Sequence, residues 1–141
     1  MEGADRKMNL PLALLFWAVM VTIAIINGII GEKLIKGLAG DYTAHLYKTF
    51  FIITVIFVFS RFYLKKAAAG GASMYSLALS AGLTWLACSL TFEFLAGHYI
   101  FGFPWEKLTA DYRIWRGRLW SLVLASEVIA PLLNAWLLKR T

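Results

Sequence analysis

The sequence predicts an all-α integral membrane protein, a single four-helix bundle over residues 1–141. Apolar residues make up 60% of the chain and the mean hydropathy is +0.69, which lies outside the range of ordinary soluble domains. Four continuous apolar runs are each long enough to cross a hydrocarbon core of about 30 Å, for which roughly 20 helical residues are needed. They cover residues 10–30, 44–64, 74–95 and 119–138.

Each run is expected to be a helix, because the strands of a membrane barrel are shorter and alternate in polarity. The first run follows Arg6 and Lys7, as a signal peptide would. Its apolar length exceeds a signal core and no small-x-small cleavage site follows closely, so we expect it to be kept. In the second run, Arg61 lies near the end and is expected to extend towards Lys65.

The third run carries a stripe of small polar residues, spaced four apart. Such a stripe usually allows close helix packing, and a water-lined path towards Glu127 is the alternative. The stripe consists of Ser76, Ser80, Thr84 and Cys88. Cys88 is the only cysteine, so neither an intrachain disulfide nor the paired thiols of a membrane thiol oxidoreductase are expected.

Charge sets the expected surroundings and orientation. The net charge is +6, but the basic residues flank apolar runs, which predicts lipid headgroups rather than nucleic acid as their partners. Four crossings place both termini and residues 65–73 on one face, and residues 31–43 and 96–118 on the other. Lys and Arg divide equally between these faces. The short basic terminal segments favour both termini in the cytoplasm.

The two connections on the second face resemble each other, and both contain amphipathic stretches that are expected to lie in the membrane interface. Their similarity indicates either two parallel hairpin repeats about 70 residues apart or chance. The matching elements are Glu32-Lys33-Leu34, Asp41-Tyr42 and Lys48 in the first connection, and Glu106-Lys107-Leu108, Asp111-Tyr112 and Arg118 in the second. An interfacial aromatic belt is favoured over a ligand cage for Tyr99, Trp105, Tyr112, Trp115 and Trp120.

The fourth run contains an acid near the middle of the bilayer. Glu127 lies nine residues beyond Arg118, about 13 Å along a helix. An isolated acid at that depth costs about 2.5–3.5 kcal/mol, so Glu127 is expected to face protein or water. Trp120 and Asn134 lie seven residues to either side on the same face, and Pro131 frees the carbonyl of residue 127. A functional acid and a neutral, hydrogen-bonded structural acid are both consistent with this pattern.

Further polar residues are expected near the second face. Glu93 and Arg118 end neighbouring runs there and are expected to form an ion pair, with a substrate clamp as the alternative. Asn27 lies at a similar depth. Together the predicted polar cluster comprises Asn27, Glu93, His98, Arg118, Glu127 and Asn134.

No catalytic residue and no resident cofactor are predicted. A metal or haem site using His45, His98 and Glu93 is the weaker alternative, since no HxxxH or ExxH spacing occurs. Further oxygen ligands for such a site would come from Glu32, Asp41 and Asp111.

The second half of the chain resembles a group of uncharacterised bacterial four-helix membrane proteins of about this length. The resemblance implies the same fold and a bacterial inner membrane, and it supplies no activity. Small multidrug transporters differ, because their essential acid lies in the first helix, and only Ala44-His45 is similar to the membrane-associated glutathione enzymes. The resemblance is carried by Phe92-Glu93-Phe94, Gly97-His98-Tyr99, Gly102, Trp105, Asp111-Tyr112, Gly117-Arg118-Leu119-Trp120 and Ala130-Pro131, with Asn27, Glu32 and Ala44-His45 in the first half.

Three functions follow as hypotheses, and a non-enzymatic role is favoured. The first is association, as a homo-oligomer or as an accessory subunit of another membrane protein, because the intramembrane polar groups need partners. The second is a transporter or channel subunit for a small solute or ion that uses Glu127. The third is a redox or hydrolytic metalloenzyme that depends on His45 and His98.

Overall fold

The computed structural model describes residues 9–69, 73–110 and 112–140. These residues form helices and connections, without a strand. The α-helices are α1 (Leu10–Ile30), α2 (Lys36–Ala39), α3 (Asp41–Ala68), α4 (Met74–Thr91), α5 (Trp105–Ala110) and α6 (Trp120–Arg140). Four long apolar helical stretches could cross a membrane, namely Leu10–Ala39, Asp41–Ala68, Met74–Ile100 and Trp120–Arg140. The predicted all-α four-helix fold is confirmed.

Two π-helical segments lengthen the first and third of these stretches. Gly31–Ile35 joins α1 to α2, and Phe92–Ile100 continues α4. The second segment ends with the amide of Phe101 donating to the carbonyl of Ala96 at 2.9 Å. Because each π turn holds one residue more than an α turn, it rotates the following side chains to a new face, and such turns are frequent at functional sites.

Both hairpins contain a long helix, a π-helical segment, a short helix and a second long helix in that order, and the second hairpin has a further 3-10 turn at Ile114–Arg116 before its last helix. This order fits the predicted pair of repeats, although a duplication stays a prediction. The corresponding bases have different partners, since Lys48 contacts Glu32 at 2.8 Å whereas Arg118 contacts Asp41 at 3.3 Å. Asp111, which completes the second motif, lies outside the described residues.

The two second-face connections meet at one end of the bundle, which we call the connection end. Besides the Arg118–Asp41 contact, the amide of Leu119 donates to Nε2 of His45 at 2.9 Å. Gly117 has a φ of 78° and lies beside Tyr42. A positive φ at this position suits glycine, which has no Cβ to clash with the backbone. The turn brings the start of α6 against the start of α3.

Helices α4 and α6 pack closely through small residues. A Cβ built on Gly82 would lie 2.9 Å from the carbonyl oxygen of Glu127, so no larger residue fits without moving the backbone. The predicted polar stripe is offset from this face: the hydroxyls of Ser80 and Thr84 donate to carbonyls of their own helix. The buried residues of α4 are Leu77, Ala78, Ala81, Gly82, Trp85 and Ser89.

Helix α1 is the least buried wall of the bundle. In its most apolar window 17% of residues are buried, against 44% in α6. Trp85 of α4 is fully buried and donates from Nε1 to the carbonyl of Ala13 in α1 at 2.9 Å. The Trp85 ring also meets Tyr63 of α3 edge to face, with the ring centres 5.3 Å apart. Trp85 therefore joins three helices.

Candidate functional site

Glu127 is buried inside the bundle, with 6% of its surface exposed. Its Oε1 accepts a hydrogen bond from the hydroxyl of Ser89 at 2.6 Å, and that hydroxyl accepts one from Nε1 of Trp17 at 3.0 Å. Ser89 thus joins α1, α4 and α6 at one point. The other carboxyl oxygen, Oε2, is buried and has no hydrogen-bond partner among the described residues.

The Glu127 side chain lines a cavity of about 190 Å³ between α1, α3, α4 and α6, which we call the inner cavity. Its polar lining residues are Ser89, Glu93 and Glu127, and Trp17 and Trp120 line it together with apolar residues. Glu127, which was expected to face protein or water, therefore lines a cavity within the bundle.

Glu93 lies between the inner cavity and a second cavity. Its Oε1 accepts from Nε1 of Trp120 at 2.8 Å, and its Oε2 accepts from the hydroxyl of Tyr112. The second cavity, of about 300 Å³, lies against α5 at the connection end, and we call it the outer cavity. Phe92, Glu93 and Trp120 line both cavities. Glu93 therefore forms part of the wall that they share.

The ion pair of Glu93 with Arg118 stays a prediction, and the contacts of the two residues described here involve other groups. The connection after the π-helical segment folds back, so that Tyr112 reaches Glu93, and the turn at Gly117 brings Arg118 to Asp41 at the start of α3.

The aromatic residues of this connection have two separate roles. Trp115 is 80% exposed and Tyr99 is also exposed, which fits the predicted interfacial belt. Trp105 stacks on His98, with the ring centres 3.9 Å apart. Tyr112 and Trp120 instead donate to Glu93, so these two belong to the site rather than to the belt alone.

Both histidines use a ring nitrogen in a hydrogen bond to the backbone. His45 is buried, and its Nε2 accepts from Leu119. Nδ1 of His98 lies 2.9 Å from the carbonyl of Phe103 and must donate to it, since a carbonyl only accepts. Among the described residues no three His, Cys, Asp or Glu side chains are grouped so that they could hold a metal ion. The metal alternative stays a prediction.

The two asparagines of the predicted cluster join helices. Nδ2 of Asn134 donates to the carbonyl of Phe57 at 2.9 Å and to the hydroxyl of Ser60 at 2.6 Å, which ties α6 to α3. Nδ2 of Asn27 donates to the carbonyl of Lys48 at 3.1 Å, which ties α1 to α3. Neither asparagine lines the inner cavity.

Sequence reasoning missed Ser89 and Trp17, the two residues that hold Glu127. The spacing of Ser89 could have identified it. Ser89 lies four residues from both Trp85 and Glu93, which places the three residues on one face of a helix. Trp17 gave no such signal, because its indole meets Ser89 only through the packing of α1 on α4.

The site therefore combines a buried carboxyl group, one oxygen of which has no partner among the described residues, with an apolar cavity beside it and a second acid towards the connection end. Such an arrangement can hold a proton or a cation in a region where an unpaired charge is costly. The chain matches no protein-family model, no curated protein and no solved structure.

Proposed function

We propose that this membrane protein carries a small solute or ion, as a transporter or channel subunit, with Glu127 as the binding group. One observation carries the proposal: Glu127 lines the inner cavity, and that cavity adjoins the outer cavity at Glu93. A solute that arrives at the connection end would meet Glu93 first and Glu127 second. Two acids in succession suit a proton or another cation.

The unpartnered oxygen of Glu127 supports this role because it belongs to a carboxyl group that lines a cavity, whereas Asn27, whose Oδ1 is also without a described partner, does not line that cavity. A carboxyl group that serves packing is expected to bond through both oxygens, because an unsatisfied polar atom in a membrane costs several kcal/mol. Glu93 has a donor on each oxygen, whereas Oε2 of Glu127 has no partner among the described residues. Because Oε2 is buried, a water molecule or a solute would reach it only after a small rearrangement of the cavity wall.

Association was expected because intramembrane polar groups need partners. Asn27, Asn134 and Glu93 find such partners within the chain, which weakens that argument. Association stays a prediction, and native mass spectrometry in mild detergent tests it: a strictly monomeric protein that binds no other subunit would contradict it.

Flux through the reconstituted protein tests the proposed function. We expect liposomes that contain the protein to dissipate an imposed pH gradient, recorded with an internal pH-sensitive dye, and Glu127→Gln and Glu127→Ala to slow this by about tenfold or more, the loss of roughly 1.4 kcal/mol of interaction. Glu32→Gln is the matched control, since Glu32 forms exposed ion pairs with Lys36 and Lys48. Equal flux in wild type and both Glu127 variants would remove Glu127 from the mechanism, and the absence of pH-dependent flux would remove coupled transport.

The proposed setting is a bacterial inner membrane with both termini in the cytoplasm. The resemblance and the short basic termini support it. In a Cys88→Ala background, we expect Trp115→Cys at the connection end to react with a membrane-impermeant maleimide added to intact spheroplasts, and Ser73→Cys at the opposite end to react only after lysis. The reverse labelling pattern would invert the orientation.

A further inference from the structure

The walls of the inner cavity indicate which class of solute it suits. Trp17, Trp120 and Phe92 contribute aromatic surface, while Glu93 and Glu127 contribute carboxyl groups. None of the cavity-lining residues is Lys, Arg or His. An anion would meet two acids there and no cationic side chain. A hard metal cation would lack its oxygen ligands, because Ca²⁺ takes six to eight and Mg²⁺ about six.

The size of the inner cavity limits the solute. Its volume is about 190 Å³, and an apolar cavity of about 150 Å³ accepts a benzene molecule. Drug-sized ligands need roughly 300 Å³ or more. The cavity therefore suits one ring, or an alkyl group of similar size, with a few further atoms.

The polar groups of the inner cavity are arranged for a cation. Ser89 holds Oε1 of Glu127 at 2.6 Å and leaves Oε2 without a described partner. The indoles of Trp17 and Trp120 are fixed in the wall by hydrogen bonds to Ser89 and Glu93. Fixed aromatic rings attract a cation placed over their faces, and the attraction grows when the site excludes water.

We propose that the inner cavity binds a small organic ammonium ion with an apolar body about as large as a benzene ring, its charge next to Glu127. This inference rests on the proposed function and names its solute. The carboxylate would neutralise the ammonium group, and the aromatic and aliphatic walls would cover the apolar body. The carboxyl group and the aromatic and aliphatic side chains that these contacts need all line the cavity.

Calorimetric titration of the purified protein with benzyltrimethylammonium, in an uncharged detergent, tests the inference. We expect saturable binding that weakens about tenfold or more in Glu127→Gln and stays unchanged in Glu32→Gln. Neopentylbenzene, in which carbon replaces the charged nitrogen, is the matched neutral compound. It should bind to the wild type more weakly than the ammonium ion does. Its own affinity should be the same for the wild type and for Glu127→Gln. Equal affinities for the two compounds, or an ammonium affinity unchanged in Glu127→Gln, would overturn the proposal.

A second variant covers the case in which Glu127→Gln fails to fold. Ala24 lines the inner cavity from α1, so Ala24→Phe should fill part of the cavity while it retains Glu127. We expect this variant to lose ammonium binding, and retained binding would place the ligand elsewhere and overturn the proposal.

Equilibrium binding separates this inference from the proposed function. If the ammonium ion binds but the protein supports no flux, the inner cavity is a binding site and the transport proposal is refuted. Proton flux that depends on Glu127, without ammonium binding, would retain transport and refute the ammonium ion as its solute.

Discussion

Trp85→Ala is expected to lower the free energy of unfolding by about 3 kcal/mol, the lower end of the range of about 3–5 kcal/mol for removing a buried aromatic side chain. Trp85 is fully buried and joins α4 to the carbonyl of Ala13 and to Tyr63. Lipid tails are as apolar as the bundle interior, so most of the loss comes from packing and the hydrogen bond. Unfolding by titration of mixed micelles with a denaturing detergent measures it.

Two variants control the Trp85 prediction. Trp115→Ala removes the same side chain from a site that is 80% exposed, so it should change stability by less than about 0.5 kcal/mol. Trp85→Phe retains a ring but removes the donor to Ala13 and part of the buried indole, so its cost should be at least about 1 kcal/mol and smaller than that of Trp85→Ala. If Trp85→Ala and Trp115→Ala unfolded at the same detergent fraction, Trp85 would not be a point where helices join.

Gly82→Val is expected to destabilise the bundle by about 1–3 kcal/mol, the usual cost of overpacking. The new Cβ would meet backbone atoms, at 2.9 Å from the carbonyl oxygen of Glu127 and 3.0 Å from Cα of Val128. Backbone cannot rotate away as a side chain can, so α4 and α6 must move apart. Because Ser89 and Glu127 lie on these two helices, their 2.6 Å hydrogen bond should lengthen as well.

Gly28→Val is the matched control for Gly82→Val. Gly28 lies in α1, and a Cβ there would meet nothing within 4 Å. Both changes alter helix propensity alike, so the difference between them measures the contact of α4 with α6. The same detergent titration reports it, and equal midpoints would mean that the helices do not pack as closely as Gly82 indicates.

The sequence predicted the four spans because the hydropathy of each run depends only on the residues that it contains. It placed the ends of the first and third runs at residues 30 and 95, whereas the helical stretches extend to Ala39 and Ile100. Hydropathy falls where polar residues begin, but backbone hydrogen bonding continues through Gly31–Ile35 and Phe92–Ile100. No residue pattern marks a change from α to π turns.

The sequence identified the acids of the candidate site, and the structure identified their partners. Glu93 and Glu127 were predicted as site residues because placing an ionisable group at membrane depth costs free energy whichever way its side chain points. Ser89 and Tyr112 were not assigned to them, because a partner depends on how each helix is rotated and on the path of the connection. Those properties arise from packing between helices, which the periodicity of one helix does not determine.

Helix α1 is joined to its neighbours by polar contacts near its two ends. Towards one end, Ala13 accepts a hydrogen bond from Trp85 and Trp17 donates one to Ser89. Towards the other end, Asn27 donates one to the carbonyl of Lys48. Within the described residues, the stretch between them contributes Val21, Ala24 and Ile25 to the inner cavity and touches its neighbours through apolar contacts. Among the described residues, the hydrogen bonds that tie α1 to other helices lie on either side of this middle stretch, so it can move outward at a lower cost in free energy than the ends of α1.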